Sequence, residues 1–338
     1  MKKILFVTDA WRPQINGVVR VLEALIPRLT ARGYEVVVIE PSQFTTIALP
    51  LYPEIRLALF ARAHMRDILK EHKPDAVCIV TEGPLGFAAR GVCRQEKIPF
   101  TTWYHSHFQL YVDIRLRGLL KPIYALMRRF HSAASATMVS TESLKRGLLS
   151  AGFQNLVIMP LGVDLELFRR NPEPPLPEFE KPVFTYFSRL APEKSPEEFL
   201  KLDLPGTKLV IGDGPLRKKL EKKYGAGHTF VGYKHGPELV DWLSLTDVLV
   251  FPSRTETFGL VVLEALACGI PVAAYDVMGP RDIITHGKDG YLTDNLGEAA
   301  LKCLDFSRED CRTKAEQFSW EKSADVFIKN LISTQAKQ

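Results

Sequence analysis

DVLVFPSRTETFGLVVLEALACGIPVAA, residues 247–274, is the stretch whose reading decides the fold class of this chain. Leu245–Pro252 is too apolar for a surface loop, and its Val-Leu-Val centre reads as a parallel strand buried on both faces. The chain then turns through Ser253, Arg254, Thr255 and Glu256, and Gly259 opens a helix. A second apolar strand follows Gly269 and Pro271. This order predicts that Glu256 and the backbone N–H groups of Thr257, Phe258 and Gly259 gather where a strand's carboxyl end meets a helix's amino end. In open α/β sheets that crevice receives anionic and sugar-phosphate ligands. Glu264, eight residues after Glu256, is expected on the helix wall facing the same crevice. Two carboxylates so placed can accept hydrogen bonds from several hydroxyls, as a sugar or a ribose requires.

Strand signals alternate with helical patterns on both sides of this stretch, the mark of parallel α/β sheets. Strands are expected at Lys3–Thr8, Glu35–Glu40, Ala76–Thr81, Phe100–Tyr104, Ala136–Ser140 and Leu156–Met159, with helices such as Val18–Arg32, Ala61–Glu71 and Leu85–Glu96 between them. Pro172, Pro174, Pro175, Pro177 and Pro182 then crowd together, and prolines at that density forbid helix and sheet interiors. A second α/β series follows at Val183–Ser188, Lys208–Gly212, Thr229–Gly232, Val248–Pro252 and Pro271–Ala274, and a last helix runs from Trp320 to Leu331. With 338 residues there is room for two such domains, each with its own core. The expected division is 1–171, a proline-rich linker at 172–182, and 183–319.

Charged residues make up 25% of the chain, which suits a soluble globular enzyme. Cys78, Cys93, Cys268, Cys303 and Cys311 are odd in number and lack C-x-x-C spacing, so they read as reduced packing residues. The run Ile4–Val7 stops at Asp9, too short for a signal segment, and no apolar window is long enough to span a membrane. Residues 1–172 hold 23 Lys and Arg against 14 Asp and Glu, net +9, whereas the remainder is net −4. That asymmetry predicts an anionic partner for the first half.

Several loops carry chemistry. In SRLAPEK, Arg189 and Lys194 leave the end of the second domain's first strand, and two fixed cations there can neutralise a diphosphate. IGDGPLRKKL, residues 211–220, supplies Gly212 and Gly214 but has Arg217 where a dinucleotide fingerprint needs its third glycine. Asn16-Gly17-Val18 opens a helix after the first strand, where Gly17 lets the backbone approach a ligand and the helix end favours an anion. WYHSHF, residues 103–108, places His105 and His107 past a strand end; two imidazoles suggest a metal, but no third ligand sits nearby. YVDIRLRGLLKPIYALMRRFHSAA, residues 111–134, interleaves Arg115, Arg117, Lys121, Arg128 and Arg129 with Leu, Ile, Tyr and Phe, and Pro122 is expected to break it in two. Such a segment reads either as a membrane-surface element or as a solvated helix face with an apolar inner side.

Together, Arg189, Lys194, the E-x7-E pair and the strand–helix string around it resemble the donor site of the retaining glycosyltransferases of family 4, which have the GT-B fold. PQINGVVR and the Tyr-His-Ser-His segment bring the chain close in look to the branch with sulfoquinovosyl- and glucosyl-diacylglycerol synthases and GDP-mannose-dependent mannosyltransferases. The resemblance implies two Rossmann-like domains whose parallel sheets face a central cleft, an acceptor-binding N-terminal one and a donor-binding C-terminal one, with helix 320–338 packing back on the first. It implies Arg189 and Lys194 on the donor's phosphates, Glu264 on its ribose, and Glu256 with the Phe258 and Gly259 amides on its sugar. Gly214 would lie under the donor, and Tyr233 and Lys234 would lie near the base. His105 would hydrogen-bond the transferred sugar and, with Glu256, form the catalytic pair, while Asn16, Gly17 and His107 would face the acceptor.

The implied reaction moves a hexose from a UDP- or GDP-linked sugar to a lipid such as diacylglycerol or a glycolipid. It needs no metal and no cofactor beyond the nucleotide-sugar co-substrate, and no nucleic acid takes part. The implied setting is the inner face of the cytoplasmic membrane, with Arg115, Arg117, Lys121, Arg128 and Arg129 touching an anionic surface. A soluble sugar or polysaccharide acceptor, or a nucleotide-sugar epimerase on the same fold, is the alternative. One departure is Met278-Gly279-Pro280-Arg281-Asp282, which puts Arg281 in a loop that often reads Gly-Gly-Pro.

Overall fold

Short runs rich in Val, Ile and Phe, each followed by an amphipathic helix, fold into two parallel sheets. The computed structural model describes residues 2–14, 16–49, 52–105 and 120–331. The chain forms two units, Met1–Leu161 with Trp320–Gln338, and Gly162–Ser319.

In the first unit the strands are β1 (Lys2–Val7), β2 (Tyr34–Ile39), β3 (Thr46–Leu49), β4 (Tyr52–Ala58), β5 (Ala76–Ile79), β6 (Thr101–Tyr104), β7 (Ala136–Val139) and β8 (Leu156–Ile158). The main sheet runs β2-β1-β5-β6-β7-β8, all parallel, so the chain leaves β1 in one direction and later returns to its other side. Its core joins Leu5, Val7, Val77 and Ile79 to Met65, Leu69, Leu85 and Val92 from the flanking helices.

The antiparallel ribbon β3–β4 is an addition to the sequence reading. Pro53 in a short run argues against a strand, and two-stranded ribbons tolerate proline because they have free edges. At the end of β1, the buried Asp9 carboxylate accepts from the amides of Leu85 (2.8 Å) and Gly86 (3.3 Å) and from the Thr81 hydroxyl (2.9 Å). It thereby caps the helix Pro84–Gln95. Burial still drives its pKa upward, against those bonds.

The last helix, Trp320–Asn330, belongs to the first unit. Glu321 meets Arg28 (2.8 Å) of the helix Gly17–Ala31, Asp325 meets Arg32 (3.0 Å) just past its end, and the buried Phe327 packs on Phe6 and Trp103.

The second unit holds β9 (Val183–Phe187), β10 (Thr207–Ile211), β11 (Thr229–Gly232), β12 (Val248–Phe251), β13 (Val272–Ala274) and β14 (Gly290–Leu292) in the parallel order β11-β10-β9-β12-β13-β14. The three-residue β14 is too short to leave a period in the sequence.

The structure corrects the expected boundary. Residues 162–171 and the proline-rich stretch lie on the second unit, because their polar groups are held there. The Asn171 amide donates to Ser244 Oγ (2.9 Å) and its side chain to Asp241 (2.7 Å), while Arg312 donates to the carbonyls of Phe168 (2.7 Å) and Leu165 (3.0 Å). All five cysteines are buried and free, and burial pushes their thiols up to about 12. Among the described residues no helix is long and apolar enough to cross a membrane.

Candidate functional site

The order of the second sheet makes β9 and β12 neighbours, although 60 residues of chain separate them. Their carboxyl ends bring the loops after Phe187 and after Phe251 side by side, at the point where the chain changes direction across the sheet. The two loops are laced together: Ser253 Oγ and Thr255 Oγ1 both donate to the Glu193 carbonyl, at 3.4 and 3.2 Å. Lys194 Nζ and Glu256 Oε1 form an ion pair across the gap, with only 21% and 10% of their side chains exposed. That shielding makes the pair stronger than a surface contact, and it concentrates field in the crevice.

Arg189 is half-buried one turn earlier, its carbonyl accepting from the Tyr186 hydroxyl at 2.9 Å. Burial drives the Tyr186 phenol well above its ordinary range, so that hydroxyl remains a donor. Gly214 has a packing reason to be glycine: an added Cβ would stand 2.5 Å from the Leu190 carbonyl. The turn at 212–214 is therefore pressed against the Arg189 loop and supports it from below.

Glu264 lies on the helix Leu260–Ala267, whose residues from Val262 to Ala267 are all buried. It is 7% exposed, a carboxylate on the buried length of that helix. The helix starts one residue later than expected. Gly259 is its cap, at φ +99°, a left-handed backbone that side chains rarely adopt. Phe258 itself is a packing residue, edge-on to Phe318 at 6.2 Å. The Phe258 and Gly259 amides donate to no acceptor among the described residues. They lie at the positive end of the helix, ready for an oxygen-rich ligand.

The loop 278–282, singled out in the sequence for its departure from the family pattern, packs against Glu256 and Phe258. Gly279, at φ +89°, approaches so closely that a Cβ would meet the Phe258 carbonyl at 2.6 Å and Glu256 Cβ at 3.0 Å. Arg281 turns to Asp276, donating to its carboxylate and its carbonyl at 2.6 Å each. Arg254 stacks on Tyr275 at 3.4 Å, and the Tyr275 hydroxyl bonds Glu198; burial and that carboxylate push Tyr275 up to about 12. Further along the sheet edge, Tyr233 is 40% exposed and parallel to His235, whereas Lys234 is engaged by Glu238 and Trp242.

In the first unit, Asn16 caps the helix Gly17–Ala31, accepting from the Val19 amide at 3.1 Å and donating to Gln14 at 3.1 Å. Nothing lies within 4 Å of a Cβ built on Gly17, so the fold itself does not demand glycine there. His105 packs on Trp103 with ring centroids 4.3 Å apart. Burial pushes its imidazole down to about 3, which keeps it neutral at physiological pH. The expectations for His107, Arg115 and Arg117, and for the Lys121 side chain, fall outside the described residues.

The part of the basic segment before Leu120 lies outside the described residues, so of the expected break only the position of Pro122 is described. Pro122 sits in the first turn of the helix Leu120–His131, where a missing N–H is tolerated. Met127, Phe130 and His131 face inward, while Arg128, Arg129 and Leu126, 48% exposed, face out. His131 is held between Glu82 (3.1 Å) and Thr102 (2.9 Å) and is structural.

Residues 15–167 match the family model described as Glycosyltransferase Family 4, and residues 169–304 match Glycosyl transferases group 1. Sulfoquinovosyl transferase SQD2 of Arabidopsis thaliana is 31% identical, over 96% of this chain and 72% of that protein. A GDP-mannose-dependent alpha-(1-6)-phosphatidylinositol dimannoside mannosyltransferase of Mycobacterium tuberculosis is 28% identical, over 97% and 96%. Among solved structures, the Anabaena HepE protein in complex with UDP-glucose superposes with a TM-score of 0.74 at 17% identity, covering 97% of this chain and 99% of that one. That likeness establishes the fold, two Rossmann-like domains of the GT-B type.

Proposed function

The chain belongs to glycosyltransferase family 4, and on that premise we propose that it moves a hexose from a nucleoside-diphosphate sugar to a membrane lipid, with retention of configuration. The observation that carries the reading is the shielded Lys194–Glu256 pair, which joins the loop after Arg189 to the loop that leads into the Gly259 cap and the helix bearing Glu264. A departing nucleoside diphosphate gains negative charge as the sugar leaves, and fixed cations at its phosphates stabilise that change most in the transition state. Arg189 offers a planar fork and Lys194 a point charge. Glu264 suits the ribose hydroxyls, and Glu256 suits the sugar once the phosphates have drawn Lys194 away. His105, neutral, is fit to donate or accept a hydrogen bond at the sugar, and not to supply charge.

In this reading Arg189 and Lys194 take the place of a bound cation. A thermal-shift panel of UDP, GDP, ADP and TDP sugars tests the donor site. A donor at 100 times its dissociation constant raises stability by about 2.7 kcal/mol. Transfer from that donor is expected to persist in excess EDTA. A loss that Mg²⁺ restores, or a panel without any shift, would overturn this assignment.

The lipid acceptor rests on the net +9 of residues 1–172, on the outward Arg128, Arg129 and Leu126, and on a relative named for a phosphatidylinositol mannoside. Each Lys or Arg at an anionic leaflet contributes ~1 kcal/mol, so the five cations of residues 115–129 suffice for weak, salt-sensitive attachment at the cytoplasmic face. Flotation with anionic vesicles is expected at low salt, not with neutral vesicles. It should weaken when Arg115, Arg117, Lys121, Arg128 and Arg129 become Ser. No flotation, together with transfer to a water-soluble sugar, establishes the soluble-acceptor reading in its place.

A further inference from the structure

Tyr275 follows β13 directly and touches elements next to both charged loops of the second unit, although none of the roles above involves it. Its ring is 6% exposed and belongs to a buried cluster with Tyr186, Phe199, Leu200 and Ala273, so packing fixes its body. Its hydroxyl donates to Glu198 on the short helix Pro196–Leu200, which begins two residues after Lys194. The phenol keeps the proton it donates, because burial first and then Glu198 push it up to about 12. One face of the ring carries Arg254, two residues before Glu256, with the guanidinium carbon 3.4 Å from the ring centroid. A cation on the electron-rich face and a carboxylate on the hydroxyl hold the phenol from two sides. A single side chain therefore links the segment after Lys194 to the segment before Glu256.

We propose that Tyr275 is a positioning residue: anchored by Glu198 and stacked against Arg254, it sets the separation between the Lys194 turn and the Glu256 loop. Lys194 and Glu256 join the two loops by their own ion pair. A diphosphate that recruits Lys194 removes that link. The bonds from Ser253 and Thr255 to the Glu193 carbonyl remain, but at 3.4 and 3.2 Å they are long. The Tyr275 link contains neither Lys194 nor Glu256, so it outlasts that exchange. Arg254 also lies 3.8 Å from Asp294, whose side chain is 95% exposed, and a contact so open to water competes weakly with the stack. Rate depends steeply on placement, since a displacement of about 1 Å can cost on the order of 10²-fold. The effect on rate rests on the transferase reading, whereas the link itself is measured without a donor, so the two fail separately.

The experiment has two arms, both on the full chain. Amide hydrogen exchange without any ligand compares the protein with Tyr275→Phe, which keeps the ring and removes the hydroxyl. Exchange is expected to quicken by about tenfold in segments 192–200 and 253–259, the scale of a lost hydrogen bond to a charged group, and to stay unchanged in β10 and β11. The second arm is steady-state kinetics with the donor found by thermal shift. Turnover should fall about tenfold in Tyr275→Phe and in Arg254→Ala, while calorimetry gives an affinity for the bare nucleoside diphosphate within about twofold of the unmodified protein. Glu198→Gln keeps an acceptor oxygen and should retain most of the rate. Tyr275→Phe combined with Glu198→Ala should be no slower than Tyr275→Phe alone, because both remove one link. A residue that only packs would lower rate, nucleotide affinity and melting temperature together. Arg254 is exposed, so its replacement leaves the fold intact and carries the test if Tyr275→Phe folds poorly. Unchanged exchange in both segments, turnover within about threefold in both variants, a matching loss of nucleotide affinity, or an additive double variant overturns the proposal. If the unmodified protein transfers from no donor, the transferase reading falls, and the exchange arm decides whether Tyr275 holds the two loops.

Discussion

Lys194→Ala is expected to lower turnover by about 10²–10³-fold, the usual consequence of removing one group aimed at charge that develops in a transition state. Lys194 leaves the end of β9 on a short turn and reaches Glu256 in a shielded gap, so its charge is already in position before any ligand arrives. Arg189→Ala should act in the same range, and Lys194→Arg should retain part of the rate by retaining charge while losing the compact ammonium. Removing Lys194 also leaves Glu256 without its partner, so the melting temperature of each variant has to be measured beside the rate. Steady-state kinetics with the donor found in the thermal-shift panel gives the answer. A fall in turnover of less than about threefold in both alanine variants would remove these cations from the phosphate role, since a preorganised charge in such a site contributes far more.

The second large effect is a division of labour between the two carboxylates. Glu264→Ala is expected to weaken binding of the bare nucleoside diphosphate by about 10–100-fold, the loss of charged hydrogen bonds to ribose hydroxyls. Glu256→Ala should leave that affinity nearly intact and lower turnover with the intact sugar donor. The structure gives each its reason. Glu264 is buried on the helix Leu260–Ala267, whereas Glu256 sits on the loop that Gly279 supports, paired with Lys194. Calorimetry with the nucleoside diphosphate separates the two, and an equal loss of affinity in both variants would refute the assignment.

The segments that carry both carboxylates and both cations could be placed after strands from the sequence because parallel βα units follow local rules. A strand end, a turn of Ser, Thr and Glu, and an apolar helix follow one another within about a dozen residues, and each is written in short-range periodicity. The basic segment 111–134 was less determinate. The same amphipathic pattern serves an inner apolar face and an outer basic one, and only packing shows that Met127 and Phe130 point in while Leu126 points out.

What the sequence by itself determined is the class of fold, the two α/β series, and which loops stand at strand ends. Tertiary structure alone decided which of those loops meet. Lys194 and Glu256 are 62 residues apart and become partners only because β9 lies beside β12. Asp9 caps a helix that begins 75 residues later, and a Cβ on Gly83 would stand 2.4 Å from its carboxylate. A cavity between Trp11, Glu40 and Arg56 exists only once an unforeseen ribbon folds over the ends of β1 and β2. Residues 162–171 belong to the second unit through hydrogen bonds to residues far along the chain. Such contacts leave no period in a sequence. They depend on strand order, on close backbone approach, and on which buried polar group finds which partner, and these are settled only when the whole sheet has formed.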